Sequence, residues 1–253
     1  MERRSRSQKK AQVGAVPNPR EQTPPKPVPS SPTSASASSS SPSAAAAPPR
    51  KVPSLTEFYL VAYNTISAFF WAAVLLRVVL ILPLLGPENV AGGTADFARW
   101  VQTGALLEIV HSLVGIVKSP VVTTVIQVSS RILLTWGVTY LFPKSGARHL
   151  AYSTMLISWS VTEIIRYSFY ASNLKGSVPK WLTWLRYNTF FVLYPSGVTS
   201  ELLVVYASLD DAKQFSVLYY YLLIAIMISY IPGFYTMFTH VLKQRRRAMR
   251  QLK

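Results

Sequence analysis

Two residues in the fifth hydrophobic stretch, Tyr194 and Glu201, have the types and spacing that acid–base chemistry requires. In an α-helix, seven residues correspond to about 700° of rotation and a rise of about 10 Å, so both side chains lie on nearly one face. A phenol and a carboxyl placed in this way can converge on one small substrate, one giving a proton and the other taking it. Pro195 and Gly197 lie between them; proline interrupts the backbone hydrogen bonds and glycine allows close helix packing. From these residues alone, a functional and a purely structural interpretation both remain open.

Glu201 is the more difficult of the two to explain as a structural residue. No Lys or Arg lies within two turns of it in its own segment. Its negative charge must therefore be matched from another helix, or the carboxyl must take up a proton.

Other polar and ionisable residues also lie in hydrophobic stretches, where they are costly and usually face the interior of a helix bundle. Glu163 and Arg166, three residues apart, are predicted to form an ion pair on one helix face. Glu108 and His111 have the same spacing and can form a similar interhelical hydrogen-bonding unit, and Arg131 can neutralise either acid. Tyrosines in the same stretches also suit packing or the membrane interface; they are Tyr167, Tyr170 and Tyr187.

The composition predicts an all-α membrane protein. Half of the 253 residues are hydrophobic, although residues 1–53 consist almost entirely of Pro, Ser, Ala, Lys and Arg. This low-complexity segment has little to bury and is predicted to be disordered. The remainder is long enough for about six spans of about 20 residues each. We predict three parts, namely a basic disordered tail (1–53), a six-helix transmembrane domain (54–242) and a basic cytosolic tail (243–253).

The six predicted spans form one bundle, and they cover residues 58–82, 97–117, 120–141, 149–171, 182–206 and 215–242. We expect the first span to end at Pro83, a loop over residues 84–96, and a kink at Pro232 and Gly233 in the last span.

The distribution of charge predicts that both termini are cytosolic. The net charge is +16, of which residues 1–53 carry +7 and residues 243–253 carry +6. Basic segments that flank apolar spans mark the cytosolic side of a membrane, and six spans put both ends on that side. This distribution argues against nucleic-acid binding. The absence of cysteine and the scarcity of histidine argue against disulfides, a thiolate nucleophile and a metal site.

Four motifs in the chain resemble those of the very-long-chain (3R)-3-hydroxyacyl-CoA dehydratases. Residues 194–201 resemble the signature YPxGxxxE, and residues 107–111 resemble LExxH. Residues 127–131 resemble an element in which Gln is followed by a hydrophobic residue, any residue, Ser and Arg. Residues 159–170 resemble WSxxExxRYxxY. The resemblance extends over roughly residues 55–242, and the four motifs stand in the family's order.

The resemblance implies a multi-pass protein of the endoplasmic-reticulum membrane with six spans and cytosolic ends. Its reaction would be dehydration of a (3R)-3-hydroxyacyl-CoA to a trans-2-enoyl-CoA, the third step of very-long-chain fatty-acid elongation, which also supplies sphingolipid precursors. No cofactor is implied. The implied partners, besides the acyl-CoA substrate, are the elongase condensing enzyme, 3-ketoacyl-CoA reductase and enoyl-CoA reductase. The resemblance makes Tyr194 and Glu201 the catalytic pair. Residues that we expect to bind substrate or support the site are Glu108, His111, Arg131, Glu163, Arg166, Tyr167, Arg186, Tyr187 and Gly197.

Three other functions compete with this one. A phosphatase is excluded because the segment that resembles HCxxGxxR has Ser112 in place of the cysteine and Lys118 in place of the arginine, and thiolate chemistry needs a thiol. A polytopic transporter would require a continuous polar path through the bundle, whereas a dehydratase requires a pocket closed on the lumenal side. A non-catalytic membrane scaffold is the third. The sequence leaves open the acyl chain length and which of Tyr194 and Glu201 is the base.

Overall fold

The structure, a computed structural model, describes residues 54–252, which contain α-helices and one π-helical segment but no β-strand. The predicted disordered tail (1–53) lies outside the described residues. The helices are α1 (Leu55–Leu85), α2 (Pro87–Gly104), α3 (Leu106–Leu113), α4 (Val121–Ile132), α5 (Pro143–Gly146), α6 (Leu150–Leu174), α7 (Lys180–Asn188), α8 (Phe190–Ala207), α9 (Leu209–Phe215) and α10 (Val217–Leu252), and the π-helical segment Leu133–Thr139 continues α4.

The first helix begins before the predicted start at residue 58 and ends after the predicted end. Ser54 and Glu57 form a capping box, in which the Ser54 hydroxyl accepts from the Glu57 amide and the Glu57 carboxylate accepts from the Ser54 amide. The predicted end at Pro83 is wrong, because the helix continues to Leu85. Proline removes one N–H group but has a helical φ. The helix ends instead at Gly86, whose φ of 83° is a left-handed conformation that glycine tolerates.

The predicted loop over residues 84–96 is also wrong, since α2 begins at Pro87. Proline suits the first position of a helix, where its missing N–H group has no partner in any case. Residues four apart are then buried, and they are Val90, Thr94, Ala98 and Gln102. This spacing gives α2 one face that packs against α1, and packing therefore overrides the loop-like composition of this segment.

Two predicted spans are interrupted. The second is divided at Ala105 between α2 and α3, and the fifth is divided at Thr189 between α7 and α8. At the second break, the Thr189 hydroxyl donates to the carbonyl of Leu185 at 2.8 Å, a local bond that competes with regular helix geometry. The predicted kink at Pro232 does not divide α10, which runs through this residue.

Four helical segments within residues 54–252 are long and apolar enough to cross a membrane: Leu55–Leu85, Val121–Thr139, Phe190–Ala207 and Val217–Arg250. Large apolar side chains such as Phe69, Val122 and Ile231 are exposed on them, as expected for surfaces that face lipid rather than water.

Helix α6 is the central helix of the described bundle and packs most extensively against α1 and α8. Its buried side chains include Tyr152, Met155 and Trp159, which pack in one core with Trp71 and Val74 of α1. A helix that is surrounded by other helices need not be apolar on every face. This explains why α6 can carry the ionisable residues that the site uses.

Candidate active site

Helix α8 presents both Tyr194 and Glu201 to α10. The Tyr230 hydroxyl donates to Oε2 of Glu201 at 2.8 Å. The Tyr194 ring stacks on Phe234, with 5.1 Å between the ring centroids and 12° between the planes. Since Tyr230 and Phe234 are one turn apart in α10, the two candidate residues face the same side of that helix.

The second oxygen of the Glu201 carboxyl contacts α6. Its Oε1 accepts from the indole Nε1 of Trp159 at 2.7 Å. Both oxygens therefore have neutral donors, and no salt bridge to Glu201 exists among the described residues. The sequence indicates that the charge of Glu201 must be matched from another helix or removed by a proton. In the structure, two other helices supply hydrogen bonds to this carboxyl but, in the described part of the chain, no cation.

Tyr194 is part of a stack of aromatic rings between α8 and α10. Its ring lies 4.8 Å from that of Phe190 and 6.5 Å from that of Phe238, in addition to its contact with Phe234. The stack limits the motion of the ring. Within the part of the chain that the structure describes, the Tyr194 hydroxyl makes no hydrogen bond to protein, so it can donate to a substrate oxygen.

Small and hydroxylated residues hold α8 close to α6. The hydroxyls of Ser196 and Ser158 are 2.9 Å apart, and those of Ser200 and Thr154 are 2.7 Å apart. Gly197 is buried beside Ser158, and a Cβ atom at this position would lie 3.6 Å from the Ser158 Cβ. Contacts between small residues of this kind allow helices to pack closely in membranes.

Gly197→Ala is expected to fold at least as well as wild type. A methyl group would make ordinary van der Waals contact with Ser158, and alanine is favoured over glycine in a helix by up to about 1 kcal/mol. Gly197→Leu should instead separate α8 from α6 and cost about 1–3 kcal/mol through overpacking. Thermal unfolding of the purified variants in detergent measures both effects. Equal unfolding temperatures for the two variants would contradict this account of the packing.

An ionic network lies beside the pair and joins three helices. Arg131 of α4 and Arg166 of α6 both bind Glu163, the second with 2.6 Å between Nε and Oε2. Arg166 also binds Glu108 of α3 through two nitrogens, at 2.7 and 2.6 Å, and the Tyr167 hydroxyl donates to Glu108 as well. Two carboxylates and two guanidinium groups thus balance one another, which is the arrangement that buried charges require.

The network also contacts the aromatic ring that binds Glu201. The Arg131 Cζ atom lies 5.0 Å from the centroid of the Trp159 ring, and the nitrogen of the same ring donates to Glu201. The predicted Glu163–Arg166 pair is therefore present, and Arg131 neutralises Glu163 rather than Glu108.

Two further residues that the sequence assigns to the site, Glu108 and His111, contact different helices. Both form interhelical hydrogen bonds, as expected, but Glu108 bonds Arg166 and Tyr167 of α6, whereas His111 bonds the Tyr59 hydroxyl of α1 at 2.8 Å. The geometric reason is that the fork of the Arg166 guanidinium matches both oxygens of a carboxylate, which a single imidazole N–H cannot do.

Arg186 and Tyr187 belong to α7 and are not brought to Glu201. The Arg186 Cζ atom lies 4.2 Å from the ring of Phe169, 4.8 Å from that of Tyr170 and 5.9 Å from that of Tyr187.

Sequence reasoning assigned no role to the two residues that bind Glu201 directly. Trp159 lies within the motif of residues 159–170, which does not indicate this contact, and Tyr230 lies 29 positions along the chain from Glu201, a distance that gives no signal of contact. A cavity of about 370 Å³ between α1 and α2 is lined by Tyr59, Trp100 and Tyr167, among others, but by neither Tyr194 nor Glu201. No group of three or more His, Asp or Glu residues among the described residues is arranged to hold a metal ion.

Comparison with known proteins gives concordant matches. The family model described as "Protein tyrosine phosphatase-like protein, PTPLA" matches residues 102–251. A "Probable very-long-chain (3R)-3-hydroxyacyl-CoA dehydratase" of Schizosaccharomyces pombe is 48% identical over 190 residues, which is 75% of this chain and 91% of the relative. "Very-long-chain (3R)-3-hydroxyacyl-CoA dehydratase PASTICCINO 2" of Arabidopsis thaliana is 40% identical over 77% of this chain and 94% of its own length. "Very-long-chain (3R)-3-hydroxyacyl-CoA dehydratase 2" of Homo sapiens is 39% identical over 77% of this chain and 82% of its own length. No solved structure matches.

Proposed function

Because this chain belongs to the protein tyrosine phosphatase-like (PTPLA) family and is 39% to 48% identical to relatives named very-long-chain (3R)-3-hydroxyacyl-CoA dehydratases, we propose that it is a hydro-lyase that converts a (3R)-3-hydroxyacyl-CoA into a trans-2-enoyl-CoA. The observation that carries the proposal for the site is that Tyr194 and Glu201 both face α10. The reaction needs one proton acceptor and one proton donor, and this surface offers one of each.

The chemistry sets clear demands on the two groups. A base removes a proton from C2 of the substrate, and the electrons of that C–H bond form the double bond between C2 and C3. The bond between C3 and its oxygen breaks, and the departing hydroxide takes a proton from an acid and leaves as water. Because the C2 proton is weakly acidic and hydroxide is a poor leaving group, both the base and the acid have to be positioned.

We assign Glu201 as the base and Tyr194 as the donor to the leaving hydroxyl. Neutral donors to Glu201 leave the carboxylate without a cationic partner, which favours its action as a base. The Tyr194 hydroxyl has no protein acceptor within the described residues and can therefore donate to the substrate. In the reverse assignment, protonated Glu201 is the acid.

The substrate's two ends suit a site inside a membrane. Phe190, Phe234 and Phe238 form an apolar wall beside Tyr194, against which the acyl chain would lie, while the CoA group stays at the cytosolic face.

The proposed topology has six spans. In this arrangement α2–α3 and α6 supply two spans in addition to the four apolar segments, which gives six spans with both ends in the cytosol.

We further propose that the protein acts in the endoplasmic-reticulum membrane. Its neighbours in the cycle would be the elongase condensing enzyme, 3-ketoacyl-CoA reductase and enoyl-CoA reductase. The dehydratase relatives and the membrane-spanning segments support this location.

Turnover of a synthetic (3R)-3-hydroxyacyl-CoA by the purified full chain in detergent tests the function, with Tyr194→Phe as the site variant. We expect wild type to form the trans-2-enoyl-CoA, and Tyr194→Phe to lower kcat by about 10²- to 10³-fold through loss of the proton donor. Tyr206→Phe is the matched control, because Tyr206 lies on the same helix and is 66% exposed; its kcat should equal that of wild type. Absence of turnover by wild type would contradict the proposed function.

A further inference from the structure

The carboxyl of Glu201 is held from two sides by residues of two other helices. Trp159 of α6 donates to Oε1 at 2.7 Å, and Tyr230 of α10 donates to Oε2 at 2.8 Å. An indole N–H and a phenol O–H carry no net charge, so they do not neutralise the carboxylate. They do fix the direction of both oxygens, because each hydrogen bond comes from a ring with few rotatable bonds.

The Trp159 ring also contacts a cation of the ionic network. Arg131 lies on the face of this ring, with 5.0 Å between its Cζ atom and the ring centroid, and its guanidinium binds Glu163. The indole is thus in contact with the arginine through its face and with Glu201 through its edge.

The distinction between neutral donors and a direct ion pair matters for a base. An adjacent arginine stabilises the ionised carboxylate so strongly that its affinity for a proton falls, and a base that binds protons weakly is a poor catalyst for removing one from carbon. Neutral donors orient the carboxylate at a much smaller loss of basicity.

Helix α10 orients both members of the proposed catalytic pair. Tyr230 binds Glu201, and Phe234, one turn later, stacks on Tyr194. The separation between the proton acceptor and the proton donor therefore depends on how α10 packs against α8. Small errors in such a separation lower the rate strongly, because reacting groups have to be near attack geometry.

We propose that Tyr230 and Trp159 are positioning residues of the dehydration reaction, which hold the Glu201 carboxyl between α6 and α10. The proposal rests on the proposed function, since both residues act through Glu201 and neither touches the reacting atoms.

The main test is steady-state dehydration by the purified full chain carrying Tyr230→Phe. Loss of one hydrogen bond to a charged group should lower kcat by about 10- to 100-fold, while KM stays within about twofold of wild type because the acyl-CoA contacts are unchanged. The matched control is Tyr235→Phe, which removes a hydroxyl from a tyrosine of the same helix that is 71% exposed; its kcat and KM should equal those of wild type.

Trp159→Phe provides a second variant that keeps an aromatic ring at this position but removes the N–H donor. It should lower kcat over the same range of about 10- to 100-fold with little change in KM. Trp159→Ala removes both the donor and the ring, and its kcat should be lower still because the cavity left behind allows the Glu201 side chain to move.

A double variant separates positioning from general structural damage. In Glu201→Asp the shorter carboxyl is withdrawn from both donors, so adding Tyr230→Phe should lower kcat by less than about threefold. If Tyr230 had a purely structural role, Tyr230→Phe would lower kcat by the same factor in wild type and in Glu201→Asp.

Four results would overturn the proposal. The first two are an unchanged kcat in both Tyr230→Phe and Trp159→Phe, and a rise in KM as large as the fall in kcat. The others are an equal effect of Tyr230→Phe on kcat in wild type and in Glu201→Asp, and a loss of activity explained entirely by the fraction of unfolded protein. If Tyr230→Phe does not fold, Trp159→Phe carries the same test. Failure of the proposed function is distinct from all of these, because it appears as absence of turnover in wild type.

Discussion

Replacing Glu201 by glutamine is expected to lower kcat for dehydration by about 10²- to 10⁴-fold, the usual contribution of one positioned acid or base. The amide has nearly the same shape as the carboxyl but cannot exchange a proton with the substrate. KM should change little, because the acyl chain and CoA would contact other parts of the protein. The measurement is steady-state turnover of a synthetic (3R)-3-hydroxyacyl-CoA by the purified full chain.

The control for this variant is Asp210→Asn, which makes the same chemical change at an exposed position of α9. Its kcat should remain within about twofold of wild type, since substitutions at exposed positions have little effect. Near-normal dehydration by Glu201→Gln would remove the pair from the catalytic role, even if wild type is active.

The same variants can assign the two roles. If Glu201 is the base, Tyr194→Phe should retain some exchange of the C2 hydrogen with solvent deuterium, while Glu201→Gln should lose it. The opposite pattern would make Tyr194 the base and protonated Glu201 the acid. Mass spectrometry of recovered substrate distinguishes these outcomes.

The parts of the site that follow from helical periodicity were predictable from sequence. Spacings of seven and three residues placed Tyr194 and Glu201 on nearly one face and paired Glu163 with Arg166, as in the structure. These relations are local, because one helix fixes them whatever surrounds it.

Contacts between distant segments could not be predicted in this way. A tyrosine in an apolar helix, such as Tyr230, is equally suited to packing or to the membrane interface, so only the arrangement of α8 against α10 gives it a role. The separation of Glu108 from His111 has the same origin, since Arg166 and Tyr59 approach them from other helices. The helical structure of residues 87–96 is not predictable from local composition, because its stabilising face exists only against α1.

The largest expected effect on stability comes from Arg166→Gln, which should destabilise the folded protein by about 3–5 kcal/mol, the usual cost of breaking a buried ion pair by removing one partner. The Glu163 side chain is only 4% exposed and that of Glu108 is 16% exposed. Without Arg166, the one guanidinium that remains in the network is that of Arg131, whose ion pair within the described residues is with Glu163 and not with Glu108. Glu108 then has a buried charge and no cation. Thermal unfolding of the purified protein in detergent measures the loss.

Two comparisons identify the unpaired charge as the cause. Asp96→Asn breaks the Arg99–Asp96 pair, in which the aspartate side chain is 88% exposed, and should cost less than about 1 kcal/mol. Adding Glu108→Gln to Arg166→Gln removes the orphaned carboxylate and should restore part of the lost stability, a non-additive result that residues sharing one network produce. An additive double variant would mean that Arg166 stabilises the bundle by packing rather than by charge. The network would then not be what fixes α3 to α6, the helix from which Trp159 binds Glu201.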